Sequence, residues 1–156
     1  MTDPFSPQSA IQARDDGRLR EWIQEFLRAP RGNVGLADGL NLAPRSYWGP
    51  FLMPLDLVVR CCGPEPGMAY PVPAEGFEVR VTGIQTLLSQ GRHLPPLLVN
   101  YDKGVLTLND GNHRHEAHRR LGAAVVPVIF WTTGEGPMVE FRQRYSEVLR
   151  EITGAR

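Results

Sequence analysis

The run Asn109-Asp110-Gly111-Asn112-His113-Arg114-His115-Glu116-Ala117-His118 gathers groups that recognise anions. It reads as a sharp turn followed by a helix. A helix start carries backbone N–H groups without intrahelical partners and the positive end of the helix dipole. Gly111 lets the backbone come close to a ligand in a conformation that other residues resist. Gly111, Asn112, His113 and Arg114 therefore present N–H donors in the arrangement that binds phosphate. Arg114 adds a guanidinium fork matched to phosphate oxygens, and Asn112 and His113 add neutral or switchable donors.

Acidic partners are harder to place. Asp110 either caps the helix, orients a magnesium ion or takes a proton. Glu116 is expected to stabilise the helix dipole or to pair with Arg119 or Arg120 at helical spacing. Phosphoryl transfer needs a carboxylate to activate an acceptor, and Glu65, Glu75 and Glu78 are the candidates in the middle of the chain. The rigid loop Gly63-Pro64-Glu65-Pro66-Gly67 could aim the first of them. The catalytic candidates are thus Glu65, Glu75, Asp110 and His113, and the phosphate-binding set is Asp110, Gly111, Asn112, His113 and Arg114. His93 could approach a base or ribose, although a surface role fits it better. His113, His115 and His118 lack the His-Glu-x-x-His spacing, and no carboxylate or cysteine completes a ligand set, so no metal ligands are assigned.

The whole chain bounds these readings. Its 156 residues suffice for one domain with a hydrophobic core. An apolar fraction of 42% and a charged fraction of 22% read as globular. The 17 basic and 17 acidic residues cancel, so no chain-wide basic excess calls for nucleic acid. No apolar run is long enough to span a membrane, and the N-terminus does not read as a secretory signal. Two adjacent cysteines, Cys61 and Cys62, make neither a disulfide framework nor a zinc site, and a reduced, cytoplasmic setting is the expectation.

The elements that must position the site follow from periodicity. Residues 1–13 look polar and loosely ordered. Leu19, Trp22, Ile23, Phe26 and Leu27 recur at spacings of three and four, which predicts a helix from Asp15 to about Arg28. Residues 30–50 hold many breakers and read as a long loop, in which Arg45-Ser46-Tyr47-Trp48 could line a site or simply pack. A strand is expected over 51–60 and a helix over 77–90. Leu97 to Tyr101, the turn Asp102-Lys103-Gly104 and Val105 to Leu108 predict a hairpin. A helix over 112–121 and a strand over 125–131 follow, with Pro127 favouring a sheet edge or an irregularity. A last amphipathic helix is expected from Met138 to about Ile152. This order predicts an α+β domain of two layers. Residues 1–50 are expected to form a helix-and-loop extension, and residues 51–156 the main domain.

The pattern also resembles a known family. Leu94-Pro95-Pro96-Leu97-Leu98-Val99, then Gly111, Arg114 and Ala117 on a Gly-x-x-Arg-x-x-Ala spacing, then Val126-Pro127-Val128-Ile129, are similar to the ParB/sulfiredoxin superfamily. The resemblance covers roughly residues 51–131 and is best over 94–131. It implies a small mixed sheet packed with helices and a nucleotide, ATP or CTP with Mg2+, whose phosphates sit at the helix start. ParB proteins bind and hydrolyse CTP and clamp DNA, sulfiredoxins use ATP and a cysteine to repair sulfinic acid, and a further branch phosphorylates free serine. That last branch keeps a catalytic glutamate in the region of Glu65, Glu75 and Glu78. Sulfiredoxins carry Gly-Cys-His-Arg where this chain has Gly111-Asn112-His113-Arg114, so the attacking thiol is missing and sulfiredoxin chemistry is not expected. Cys61 and Cys62 lie far away in sequence. The sequence ends about 25 residues after the last expected strand, too soon for ParB's DNA-binding and dimerisation domains.

Two function classes follow. The first is a nucleotide-binding enzyme, a small-molecule kinase or nucleotide hydrolase. The second is a non-enzymatic module that binds DNA or a protein under nucleotide control, suggested by Arg14, Arg18, Arg20 and Arg28 near the first helix and Arg142, Arg144 and Arg150 near the last. A nuclease ranks below both, because the sequence has no cluster of carboxylates for two-metal cleavage.

Overall fold

A computed structural model describes residues 3–152. Its centre is a four-stranded sheet of order β1-β6-β4-β5, built from β1 (Arg45–Pro54), β4 (Leu97–Asp102), β5 (Val105–Asp110) and β6 (Val125–Thr133). β1 pairs antiparallel with β6, β6 parallel with β4, and β4 antiparallel with β5. Six helices surround it: α1 (Pro7–Asp15), α2 (Leu19–Arg28), α3 (Val34–Leu40), α4 (Ala74–Ser89), α5 (Asn112–Arg120) and α6 (Glu135–Tyr145). Two short strands, β2 (Cys62–Gly63) and β3 (Tyr70–Pro71), pair in parallel beside the sheet. The fold is α+β with a mixed sheet, as the element order implies.

The period of two along the strands divides the core. Leu97, Val99, Tyr101, Val128 and Phe130 point to one face, where Met138 and Phe141 of α6 cover them. Leu98 and Ile129 point to the other, where α1, α2 and α3 contribute Ala10, Trp22, Ile23, Leu27, Ala37 and Leu40. A fully buried side chain of this kind contributes about 1.5–3 kcal/mol. A smaller cluster of Phe77, Val81 and Ala117 joins α4 to α5.

The hairpin joining β4 and β5 turns through Lys103 (φ 48°) and Gly104 (φ 82°). Positive φ at both central residues is the two-residue geometry whose twist matches the flanking strands.

The structure corrects several boundaries. Residues 7–15 are helical, started by Pro7 in the first turn and by the Ser6 hydroxyl, which accepts the Ser9 N–H. Within residues 30–50, Asn33 caps α3 through the Leu36 N–H and β1 begins at Arg45. The strand expected to run to residue 60 ends at Pro54 in a 3-10 turn over Leu55–Leu57. The last helix begins and ends earlier, at 135–145, and Arg150 then bridges to Leu52. β6 is an inner strand, not an edge. Its Pro127 is tolerated because the pairing with β4 starts one residue later, at Val128.

Candidate functional site

α5 starts at Asn112 after Gly111, whose φ of 105° lies in the left-handed region. A Cβ here would fall 2.6 Å from Leu97 Cδ2 and 2.9 Å from Arg114 Nη2, so space and backbone conformation both demand glycine. No side chain caps this start. The first intrahelical bond runs from the His115 N–H to the Gly111 carbonyl, at 2.8 Å. The N–H groups of Asn112, His113 and Arg114 precede that bond and so have no acceptor within the helix.

Asp110 does not act as the cap. Its carboxylate accepts from Arg114 Nη2 at 3.2 Å. The same guanidinium donates to the Pro95 carbonyl through Nε and to the Pro96 carbonyl through Nη2, each at 3.1 Å. Its carbon lies 5.5 Å from the Phe26 ring centroid, within cation–π range. Arg114 therefore ties the helix start to the entry of β4, to β5 and to α2. Among the described residues only Nη1 is left without a partner.

Asn112 is buried and equally committed. Its Oδ1 accepts from the Cys61 N–H (2.9 Å) and the Cys62 N–H (3.1 Å), and its Nδ2 reaches the Leu108 carbonyl at 3.4 Å. The Cys61 thiol donates to that carbonyl at 3.0 Å. The two cysteines, fifty positions away in sequence, thus lie directly beside the motif. Burial pushes the Cys62 thiol above its ordinary value, although Arg60 and Arg80 pull the other way. No spacing in the sequence announces this contact. The one available signal is an asparagine on the inward face of a helix's first turn, which requires partners.

His113 rests on the Phe77 ring, with centroids 4.9 Å apart. Burial, followed by the charges of Arg80, Arg114 and Arg60, holds its pKa down at about 4, so it is neutral at pH 7. A neutral imidazole beside a helix start can donate or accept a hydrogen bond.

These groups open on a cleft of about 850 Å³. One end is polar, with Asp110, Gly111, Asn112, His113 and Arg114 joined by Cys61, Cys62, Thr107 and Asn109. The rest mixes apolar side chains with Asp3, Arg31, Asn33 and Arg80. Phe5, Phe26, Val34 and Leu36 come from the N-terminal helices, and Ile84, Leu87 and Leu94 from α4 and the segment after it. Such a bipolar cleft fits a ligand with an anionic end and a flat or apolar end.

Other expected site residues lie elsewhere. Glu65 is held by Arg60, whose hydrogen bond lowers its pKa, and it does not line the cleft. Glu75 opens α4 outside the lining, Glu78 pairs with Arg120, and His93 stands apart. Arg45 donates to the Leu40 and Gly39 carbonyls and, with Tyr47 and Trp48, serves packing. Among the described residues, Asp3 and Asp110 are the carboxylates that line the cleft, and no group of three or more His, Cys, Asp or Glu side chains is placed to hold a metal ion. The basic residues of the first helices are mostly paired: Arg14 with Asp15, Arg18 with Glu25 and Arg28 with Asp38. No helix among the described residues is long and apolar enough to cross a membrane.

No protein-family model matches the sequence, and no curated protein matches it. Among solved structures the chain is similar to sulfiredoxin from Arabidopsis thaliana, with a TM-score of 0.41 and 20% identity over 63% of this chain and 94% of that one. It is similar to a free serine kinase in complex with AMP, with a TM-score of 0.39 and 19% identity over 52% of this chain and 30% of the kinase. A Pnob8-like ParB N-domain gives a TM-score of 0.38 and 14% identity over 67% of this chain and 36% of that one.

Proposed function

We propose that this protein binds a nucleotide, ATP or CTP, in the cleft at the start of α5, and that it acts in phosphoryl transfer as a small-molecule kinase or nucleotide hydrolase. The observation that carries the reading is the junction of an uncapped helix start and an apolar-walled cleft of about 850 Å³. The amides of Asn112, His113 and Arg114 would take phosphate oxygens. Neutral His113 would add one hydrogen bond, and the apolar walls would hold the base.

Mg2+ has a modest fit. Asp110 offers one carboxylate oxygen without a partner among the described residues, the other being held by Arg114. That is enough for a cation that binds mainly through phosphates and water. Bound there, Mg2+ would neutralise phosphate charge. Asp110 is also the residue of this cleft best placed to receive a proton from an attacking hydroxyl.

One observation favours a second reading, a nucleotide-switched binding module without fast turnover. Glu65 and Glu75, the expected bases, do not face the cleft. Calorimetric titration of the whole chain with a panel of nucleotides, with and without Mg2+, tests binding. Phosphate release from the bound nucleotide then separates the two readings. Absence of binding by any nucleotide removes both.

A further inference from the structure

The cleft takes one wall from the N-terminal extension, and that wall carries a charge with no assigned role. Ala29, Pro30, Arg31, Gly32 and Asn33 connect α2 to α3, and all five line the cleft. The connection is rigidly built. The Ala29 N–H bonds the Phe26 carbonyl at 3.2 Å, and the Gly32 N–H bonds the Ala29 carbonyl at 2.8 Å. A Cβ on Gly32 would stand 2.1 Å from the Leu27 carbonyl oxygen, so this position accepts only glycine. Arg31 is held at φ 67°, a left-handed conformation that a long side chain seldom adopts. Arg31 lines the cleft yet, among the described residues, makes no hydrogen bond or ion pair.

Arg80 of α4 is in the same condition. It is exposed, lines the cleft and lacks a partner among the described residues. Its charge reaches both His113 and Cys62. With Arg114, three separate elements each bring a guanidinium to one cleft, against two aspartates. Of those, Asp110 is engaged by Arg114, and Asp3 accepts the Phe5 N–H at 2.8 Å. Unpaired like charges around a shared space repel, and a multivalent anion relieves that repulsion.

We propose that Arg31 and Arg80 form a clamp for the distal phosphates of a polyphosphate chain, so that the cleft selects di- and triphosphates over monophosphates. The clamp rests on the nucleotide reading for its biological ligand, but its chemistry is that of polyphosphate alone, whether borne by a nucleoside or free. Residues 29–33, the connection between α2 and α3, then belong to the site as specificity determinants.

The test is titration of the whole protein with inorganic tripolyphosphate and with inorganic monophosphate, alongside ATP and CTP. Arg31→Gly removes the charge and suits the left-handed backbone. Arg80→Ala removes the second charge from an exposed helix position. Arg18→Ala removes one charge from the same extension outside the cleft. The wild type is expected to prefer tripolyphosphate. Arg31→Gly and Arg80→Ala are each expected to weaken it by roughly tenfold, the low end for one charge-assisted contact, with little change for monophosphate. Arg18→Ala should stay within twofold, and Arg31→Lys should restore much of the loss. Unchanged tripolyphosphate affinity in Arg31→Gly and Arg80→Ala, equal losses for both phosphates, or no tripolyphosphate binding by the wild type each overturns the clamp. If the clamp variants behave as expected but a nucleoside adds no affinity, the clamp stands and the nucleotide reading falls.

Discussion

The two ends of α5 treat charge in opposite ways. At the C-terminal end every charge is matched. Glu116, 3% exposed, accepts from Arg119 (2.6 Å to Nη2) and Arg120 (2.9 Å to Nε) and lies 3.6 Å from Arg60 Nε. Arg120 goes on to Glu78 and Arg60 to Glu65. These hydrogen bonds, led by the one from Arg119, pull the Glu116 pKa down to about 2. At the N-terminal end, Arg31 and Arg80 have no partners among the described residues, the helix amides are uncapped, and the histidine is kept neutral. The first end is complete as it stands and serves stability. The second leaves donors and positive charge unmatched among the described residues.

The comparison can be broken by disturbing each end in turn. The largest effect is expected at Glu116. Glu116→Gln strips the charge from a buried hub and leaves Arg60, Arg119 and Arg120 facing one another. The expected cost is about 1–3 kcal/mol in urea unfolding, with affinity for tripolyphosphate unchanged. If affinity falls while stability holds, the division of labour between the two ends is wrong.

Gly111→Ala should act the other way round. The strained φ and the contact with Leu97 cost about 1–2 kcal/mol, and the helix start must move, so anion binding should drop at least tenfold. Gly122→Ala supplies the contrast. Its φ of 77° carries the same kind of backbone penalty, but nothing lies within 4 Å of the added Cβ. It should lose stability and keep its ligand. Equal binding losses in the two variants would mean that the helix start is not where the anion sits.

The pH dependence tests the histidines of the same helix without a substitution. His113 and His118 both have folded values of about 4, and that of His115 is lowered as well, burial being the first cause in each. The unfolded chain takes up these protons near pH 6.5. The unfolded state therefore binds more protons between about pH 6.5 and 4, and stability falls as pH falls through that window. Even at half of this linkage, the melting temperature should decline by roughly 5–10 °C between pH 7 and pH 4.5. His113→Gln should flatten part of that slope, and a level profile would contradict the neutral histidine at the site. An anion in the cleft should oppose the decline by favouring the charged imidazole.

How much of this was legible in the sequence depends on the range of the interaction. The Gly111-to-Arg114 turn and the β4–β5 hairpin are local patterns and appear where their residues predict, and α2 ends at Arg28 as expected but starts at Leu19, four residues late. The Glu116 pairs at spacings of three and four were equally readable. The β1 strand was hidden because Pro44, Gly49 and Pro50 look like breakers, whereas the pairing with β6 absorbs them through an irregular register between Trp48 and Phe51. The site was half legible. Its uncapped backbone follows from one glycine and one helix start. Its walls are tertiary: Cys61 and Cys62 reach it through the Asn112 side chain, and Arg31 through a three-helix extension that looked peripheral. Of the acidic candidates Asp110 lines the cleft, and Glu65 and Glu78 stand outside it for a simple reason. Glu65 and Glu78 each have an arginine closer at hand, and a paired carboxylate stays with its partner.

Arg114 carries a consequence for kinetics. Its guanidinium is braced by two proline-residue carbonyls, a carboxylate and an aromatic face, so its conformational freedom is given up when the chain folds and not when a ligand arrives. A long basic side chain loses up to about 2 kcal/mol of rotamer entropy on being fixed. Here that loss falls on folding. An anion that met this guanidinium would therefore find it already fixed, with that entropy no longer to lose. Arg31 and Arg80 lie exposed at the rim. For any anion that the cleft takes, these outer charges would set the rate of encounter by steering, and the fixed inner arginine the rate of escape.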